Sequence, residues 1–195
     1  MYIRTKTRTN KSGNIYTYVY LAKTQQKKKG YPKQKIVKYL GRAYKLERGE
    51  ENYPPLQGSS FQEKIIFLLA LELKNHSFIQ ISKEEFKNGT FEVNLKKYTV
   101  KDKKKDKNVC IQINQGVLCK ESLKRMIEYT PPKDTMKAVR KDFAKTIVET
   151  GINPHQQSII ALFKQLQTMI NNQQQSHNPN KESNNKKYKE NEHTD

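Results

Sequence analysis

The chain has 195 residues, 34% of them hydrophobic, with no Trp and a net charge of +19 from 38 Lys and Arg against 19 Asp and Glu. That length accommodates one medium domain or two small ones, and its longest apolar stretch, IIFLLALEL (65–73), is far too short to span a bilayer. Cys110 and Cys119 form no C-x-x-C pair, which excludes the redox and metal motifs built on that spacing.

The distribution of charge says more than its size. Residues 1–48 hold 14 basic residues against one acidic residue, Glu47, a net of +13. Residues 49–100 hold 6 against 7, and residues 101–195 hold 18 against 11. A field concentrated in that way attracts a polyanion, nucleic acid before an anionic membrane. Charge begins at Arg4 with no apolar run behind it, so the start does not read as a signal peptide. A cytoplasmic protein, nucleoid- or ribosome-associated, is expected. No cofactor is called for, and both cysteines are expected to be reduced, with Cys110 a small core residue.

Residues 1–48 read as a basic three-stranded antiparallel meander. YIRTKTRT (2–9) alternates Arg4, Lys6 and Arg8 with threonines, so in a strand three cations stand in one row. NKSGN (10–14) is a turn, with Gly13 available for positive φ. IYTYVYLAK (15–23) places Ile15, Thr17, Val19 and Leu21 on one side and Tyr16, Tyr18 and Tyr20 on the other. A loop with Lys27, Lys28 and Lys29 leads to KQKIVKYLG (33–41), and Gly41 is expected to break that strand. If the register sets the cation row beside the tyrosines, the shared face suits nucleic acid: phosphates neutralise the charge and rings stack on bases or pack on sugars.

NYPPLQG (52–58) reads as a linker. SSFQEKIIFLLALELKN (59–75) is a helix capped by Ser59 or Ser60, with Glu63 in its first turn. It is apolar on more than one face and therefore expected in the core. His76 follows it, where a cation would complement the helix dipole. Residues 77–115 read as a second small antiparallel sheet lying on that helix, with a hairpin at Asn88-Gly89 and strands at 90–100 and 109–116. The lysine-rich hairpin end between them, with Lys101, Lys103, Lys104, Lys105 and Lys107, is a candidate second phosphate-contacting loop.

The remainder reads helical: 119–129, then 133–150 capped by Asp134 and stopped by Gly151, then 155–170 capped by Asn153 with Pro154 at its first position. The last helix carries only Lys164, too few cations for a recognition helix. A packing role, or dimerisation through the C-terminal helices, is expected. From residue 172 the chain is rich in Asn, Gln, Lys and Ser and reads as a disordered tail.

The fold expected is therefore α+β: a basic three-stranded antiparallel sheet, a core helix, a second small antiparallel sheet and C-terminal helices. The expected units are 1–48 (basic meander), 49–58 (linker), 59–130 (α+β core), 131–171 (helical hairpin) and 172–195 (tail). The phrase YIRTKTRTNKSGNIYTYVYLAKT…KQKIVKYLGR, carried by Arg4, Tyr16, Tyr18, Leu21, Gln34, Lys35, Val37, Lys38, Tyr39, Leu40, Gly41 and Arg42, resembles the N-terminal leader of insertion-sequence transposases of the DDE class. It also resembles the start of small uncharacterised archaeal proteins with such a leader. The resemblance implies a DNA-associated module. The rest of the chain departs from the pattern, since no three separated metal-binding carboxylates can be assigned.

The function expected is a non-enzymatic nucleic-acid-binding protein, DNA before RNA. Its contacts would be Arg4, Lys6, Arg8, Lys27, Lys28, Lys29, Lys33, Lys35, Lys38 and Arg42, with Tyr16, Tyr18 and Tyr20 supplying ring contacts. A ribosome- or rRNA-associated protein is one alternative. A protein-interaction or inhibitor module, with the basic strands against an acidic partner, is another.

Overall fold

The computed structural model describes residues 1–25 and 31–175. It is α+β, with two five-stranded sheets and four helices. Lys27, Lys28 and Lys29 lie outside the described residues, as does the tail from 176 onward.

The meander forms as expected from β1 (Tyr2–Thr9), β2 (Ile15–Gln25) and β3 (Lys33–Lys45). Gly13, at φ 80°, sits in the β1–β2 turn, closed by the Asn10 side chain accepting from the Ser12 and Asn14 N–H groups. Gly41 does not end β3. It takes φ 130° within the strand, beside one of two register shifts that leave Leu40 and Val37 as extra residues opposite β2. A bulge of this kind kinks a strand without terminating it, and glycine tolerates the required backbone.

The sheet does not stop at three strands. Residues Cys110–Ile113, expected in the second sheet, pair parallel to the end of β3, and Gly116–Leu118 adds an antiparallel edge. Numbered in chain order, these are β9 and β10, and the sheet runs β1-β2-β3-β9-β10. Parallel pairing requires a long crossover, supplied here by everything between residues 46 and 109.

That crossover opens with α1 (Phe61–Asn75), capped by Ser60, whose hydroxyl accepts from the Glu63 N–H while Glu63 reaches back to the backbone of Ser60. Then follow β4 (Ile79–Gln80), β5 (Glu85–Lys87), β6 (Phe91–Asn94), β7 (Thr99–Asp102) and β8 (Lys107–Asn108), an antiparallel sheet in that order. The Asn88-Gly89 hairpin forms, but Gly89 has no positive φ. Asn88 Oδ1 accepts from the Thr90 and Phe91 N–H groups, so the side chain closes the turn. Phe86, Phe91, Val93, Leu95 and Val100 pack with Ile65, Leu69 and Leu73 of α1 in the main core.

Helices α2 (Lys120–Ile127), α3 (Met136–Thr150) and α4 (Gln156–Gln175) complete the described residues. Thr135 rather than Asp134 caps α3, and Gly151 ends it at φ 88°. Asn153 does not cap α4, which starts beyond it; the Asn153 N–H is held by Glu72 instead. Leu123, Met126, Val139, Phe143, Ile147, Leu162 and Leu166 turn their side chains into the interior. Among the described residues no helix is long and apolar enough to cross a membrane.

Cys110 and Cys119 are free, buried thiols beside Val19, Ala43 and Val117 in a small cluster on the other side of the first sheet. Hydrogen bonding to Cys119 and burial push the Cys110 thiol up.

Candidate nucleic-acid interface

Across an antiparallel ladder, directly opposed residues share a face. In the β1–β2 register Arg4 stands opposite Tyr20, Lys6 opposite Tyr18 and Arg8 opposite Tyr16. The cation row and the tyrosine stripe therefore occupy one face. The β2–β3 register extends it, with Tyr18 opposite Arg42 and Tyr20 opposite Tyr39. Packing agrees with register. The Tyr39 ring lies 5.4 Å from that of Tyr20 and 6.3 Å from that of Tyr18, and the Arg42 guanidinium lies 4.0 Å from the Tyr16 centroid. Arg4 donates to the Gln34 side chain across β2, over the fully buried Ala22.

Tyr39 belongs to this face although alternation along β3 hides it, and Gln34 and Tyr44, in phase with Arg42, belong to it as well. Strict alternation would put Lys38 and Arg42 together. The extra residue at Leu40 inverts the phase, so Arg42 joins Tyr39 while Lys38, opposite Leu21, points the other way. Gly41 is the only sequence signal of that inversion.

The predicted contacts therefore divide. Arg4, Lys6, Arg8, Tyr16, Tyr18, Tyr20 and Arg42 come together. Lys33, Lys35 and Lys38 lie on the opposite side, where Lys35 directly faces Lys23. Lys38 is also tied to Glu121 at 3.1 Å. The expectation that all these cations line one surface is corrected on this point.

The Lys101–Lys107 hairpin is a turn organised by its own carboxylates. Asp102, buried, accepts from the Lys104 and Lys105 N–H groups, Lys105 pairs with Asp102 at 3.7 Å, and Lys101 pairs with Asp106 at 2.9 Å. Lys103 reaches the Asn88 carbonyl. Lys104 and Lys107 have no ion-pair partner among the described residues. Lys105 Nζ lies 6.0 Å from the Tyr44 ring, which Arg42 approaches at 5.4 Å. The fold thus brings the hairpin to the end of the tyrosine face.

Electrostatically the face is bare. Among the described residues, no carboxylate lies within ion-pair distance of Arg4, Lys6, Arg8 or Arg42. Glu47, the sole acid of the first 48 residues, is engaged by Lys45 at 2.8 Å, which holds its carboxyl below the usual range. Burial against neighbours, then the nearby Tyr18 and Tyr20, raise the Tyr39 phenol. The Tyr39 ring therefore stays neutral near physiological pH.

Residues 3–56 match the model of the IS1634 family transposase, N-terminal domain. The matched span runs from β1 through the end of β3 to Leu56, and it agrees with the resemblance carried by the leader motif. No curated protein and no solved structure matches the chain. A transposase N-terminal segment is compatible with DNA binding, and this segment is the one that carries the bare cations.

The transposase-like segment is anchored by a buried carboxylate that charge counting misses. Glu72 of α1 accepts from Asn114 Nδ2 at 2.7 Å and the Asn153 N–H at 3.0 Å, and pairs with Arg48 at 3.9 Å and His76 at 3.4 Å. His76 Nδ1 also lies 2.9 Å from the Glu72 carbonyl oxygen, so this histidine is a buried helix-end residue. Among the described residues no three His, Cys, Asp or Glu side chains gather as a metal ion would need.

Proposed function

We propose that this protein is a non-enzymatic DNA-binding protein that engages the phosphate backbone through the tyrosine face of its first sheet. The observation that carries the reading is the register: Arg4, Lys6 and Arg8 stand beside Tyr20, Tyr18 and Tyr16 with no carboxylate of the described residues to offset them. Like charges held in a row favour an external anion. Successive cations along β1 are about 6.8 Å apart, a spacing that lets each find its own phosphate. The transposase-domain match over the same residues supports DNA over RNA.

Binding of this kind needs no reacting group, and several of the carboxylates have structural tasks. Glu63 caps α1, Asp102 shapes a turn, and Asp142 and Glu149 hold Arg125.

The test is a titration of the full chain against duplex DNA and duplex RNA over a range of salt. Neutralising about six phosphates makes affinity fall roughly a thousandfold between about 50 and about 200 mM salt, with DNA bound the tighter of the two. Affinity indifferent to salt overturns the phosphate reading, and a preference for RNA transfers it to the ribosomal alternative.

A further inference from the structure

Arg42 is held differently from the other cations of the face. Lys6 and Arg8 are exposed, with no side-chain partner fixing them among the described residues. Arg4 engages Gln34 through one of its guanidinium N–H groups. Arg42 lies 4.0 Å from the Tyr16 centroid and 5.4 Å from that of Tyr44. Among the described residues it has no carboxylate and no hydrogen-bond acceptor. Two rings steady the planar fork while all of its N–H donors remain available. A fork pre-set in this way loses little freedom on meeting a planar pair of acceptors.

Its position matters as much. One row across the sheet reads Lys6, Tyr18, Arg42, which sets Arg42 about 9.6 Å inward from the cation row of β1. Two residues further along β3, Tyr44 lies between it and Lys105, the near end of the lysine hairpin. Arg42 thus stands between two groups of cations. The major groove of duplex DNA is about 12 Å wide and admits β-strands. A face whose outer cations follow the two backbones leaves its middle cation over the base edges.

We propose that Arg42 is a base-reading residue that donates two N–H bonds to O6 and N7 of a guanine in the major groove. Lys6 and Arg8 on one side, and Lys104 and Lys107 on the other, hold the flanking phosphates. The inference rests on the DNA-binding reading above and adds sequence preference to it. The hairpin lies outside the segment that matches the transposase domain, so the surface is built from two separated parts of the chain.

The experiment is selection from a random duplex library by the full-length wild type, Arg42→Lys and Arg42→Gln, alongside the salt dependence of each on unselected duplex. Wild type enriches a motif containing guanine. Arg42→Lys keeps the charge and the salt slope and, since lysine can also donate to guanine O6 and N7, keeps guanine at that position while losing the planar fork. Arg42→Gln moves that position toward adenine, which glutamine recognises through N6 and N7. An unchanged guanine preference in Arg42→Gln overturns the proposal, as does wild type that retains duplex without enriching any motif. Failure to retain duplex at all overturns the DNA reading itself, and this inference with it.

Discussion

Lys6 stands directly across the β1–β2 ladder from Tyr18, and Tyr18 directly across the β2–β3 ladder from Arg42. Cation, ring and cation thus cross the sheet in one line, over a strand whose other side is buried at Val19. A sheet this thin offers its outer face to a partner only because its inner face is covered.

Replacing Arg4, Lys6 and Arg8 together by Gln is expected to lower the slope of log affinity against log salt by about 2.7, near 0.9 for each phosphate contact removed. β1 is also the edge strand of its sheet, and charges on an exposed edge oppose pairing with another chain. The same variant should self-associate more strongly in sedimentation velocity. An unchanged salt slope would show that these cations do not touch phosphate.

Glu72→Ala removes the carboxylate that Asn114, Asn153, Arg48 and His76 share. It leaves buried donors unpaired, so urea unfolding should show a loss of about 3 kcal/mol or more. A loss below about 1 kcal/mol would mean the cluster relaxes onto other partners.

Gly116 allows β10 and the end of α3 to touch. A Cβ there would come within 2.2 Å of the Gly151 nitrogen and the Val148 carbonyl oxygen. Backbone cannot swing aside as a side chain can, so Gly116→Ala should cost about 1–3 kcal/mol in thermal or urea unfolding. Gly89, with open space around it and no positive φ, serves as the contrast: Gly89→Ala should be close to neutral.

The Ser59 hydroxyl and the Ser60 and Ser59 N–H groups pull the Glu63 carboxyl from 4.5 down to about 2. A lowered folded pKa gives stability that is present above the unfolded value and fades as pH falls toward the folded one. The stability gap between wild type and Glu63→Gln should hold above about pH 5 and close between pH 4.5 and about 2. A gap that stays constant through that window would show that the capping box does not depend on the charge.

Much of this architecture is legible in the chain. Alternation of Arg4, Lys6 and Arg8 fixes β1, Ser60 with Glu63 marks the start of α1, and Gly13 and Gly151 mark the turn and the helix end where positive φ is needed. These are local features, set by period and by the conformations a residue can adopt. The sequence by itself determined that cations and tyrosines each form a stripe. Only the tertiary structure decided that the two stripes share a face, because register belongs to a pair of strands and to neither alone. It also decided that Arg42 and Lys38 part company, since the phase of β3 is reset by an extra residue opposite β2. The parallel pairing of β3 with β9 joins residues some 70 positions apart. No local pattern encodes that pairing, which is settled by the burial of Ile111 and Ile113 against α1 and the second sheet.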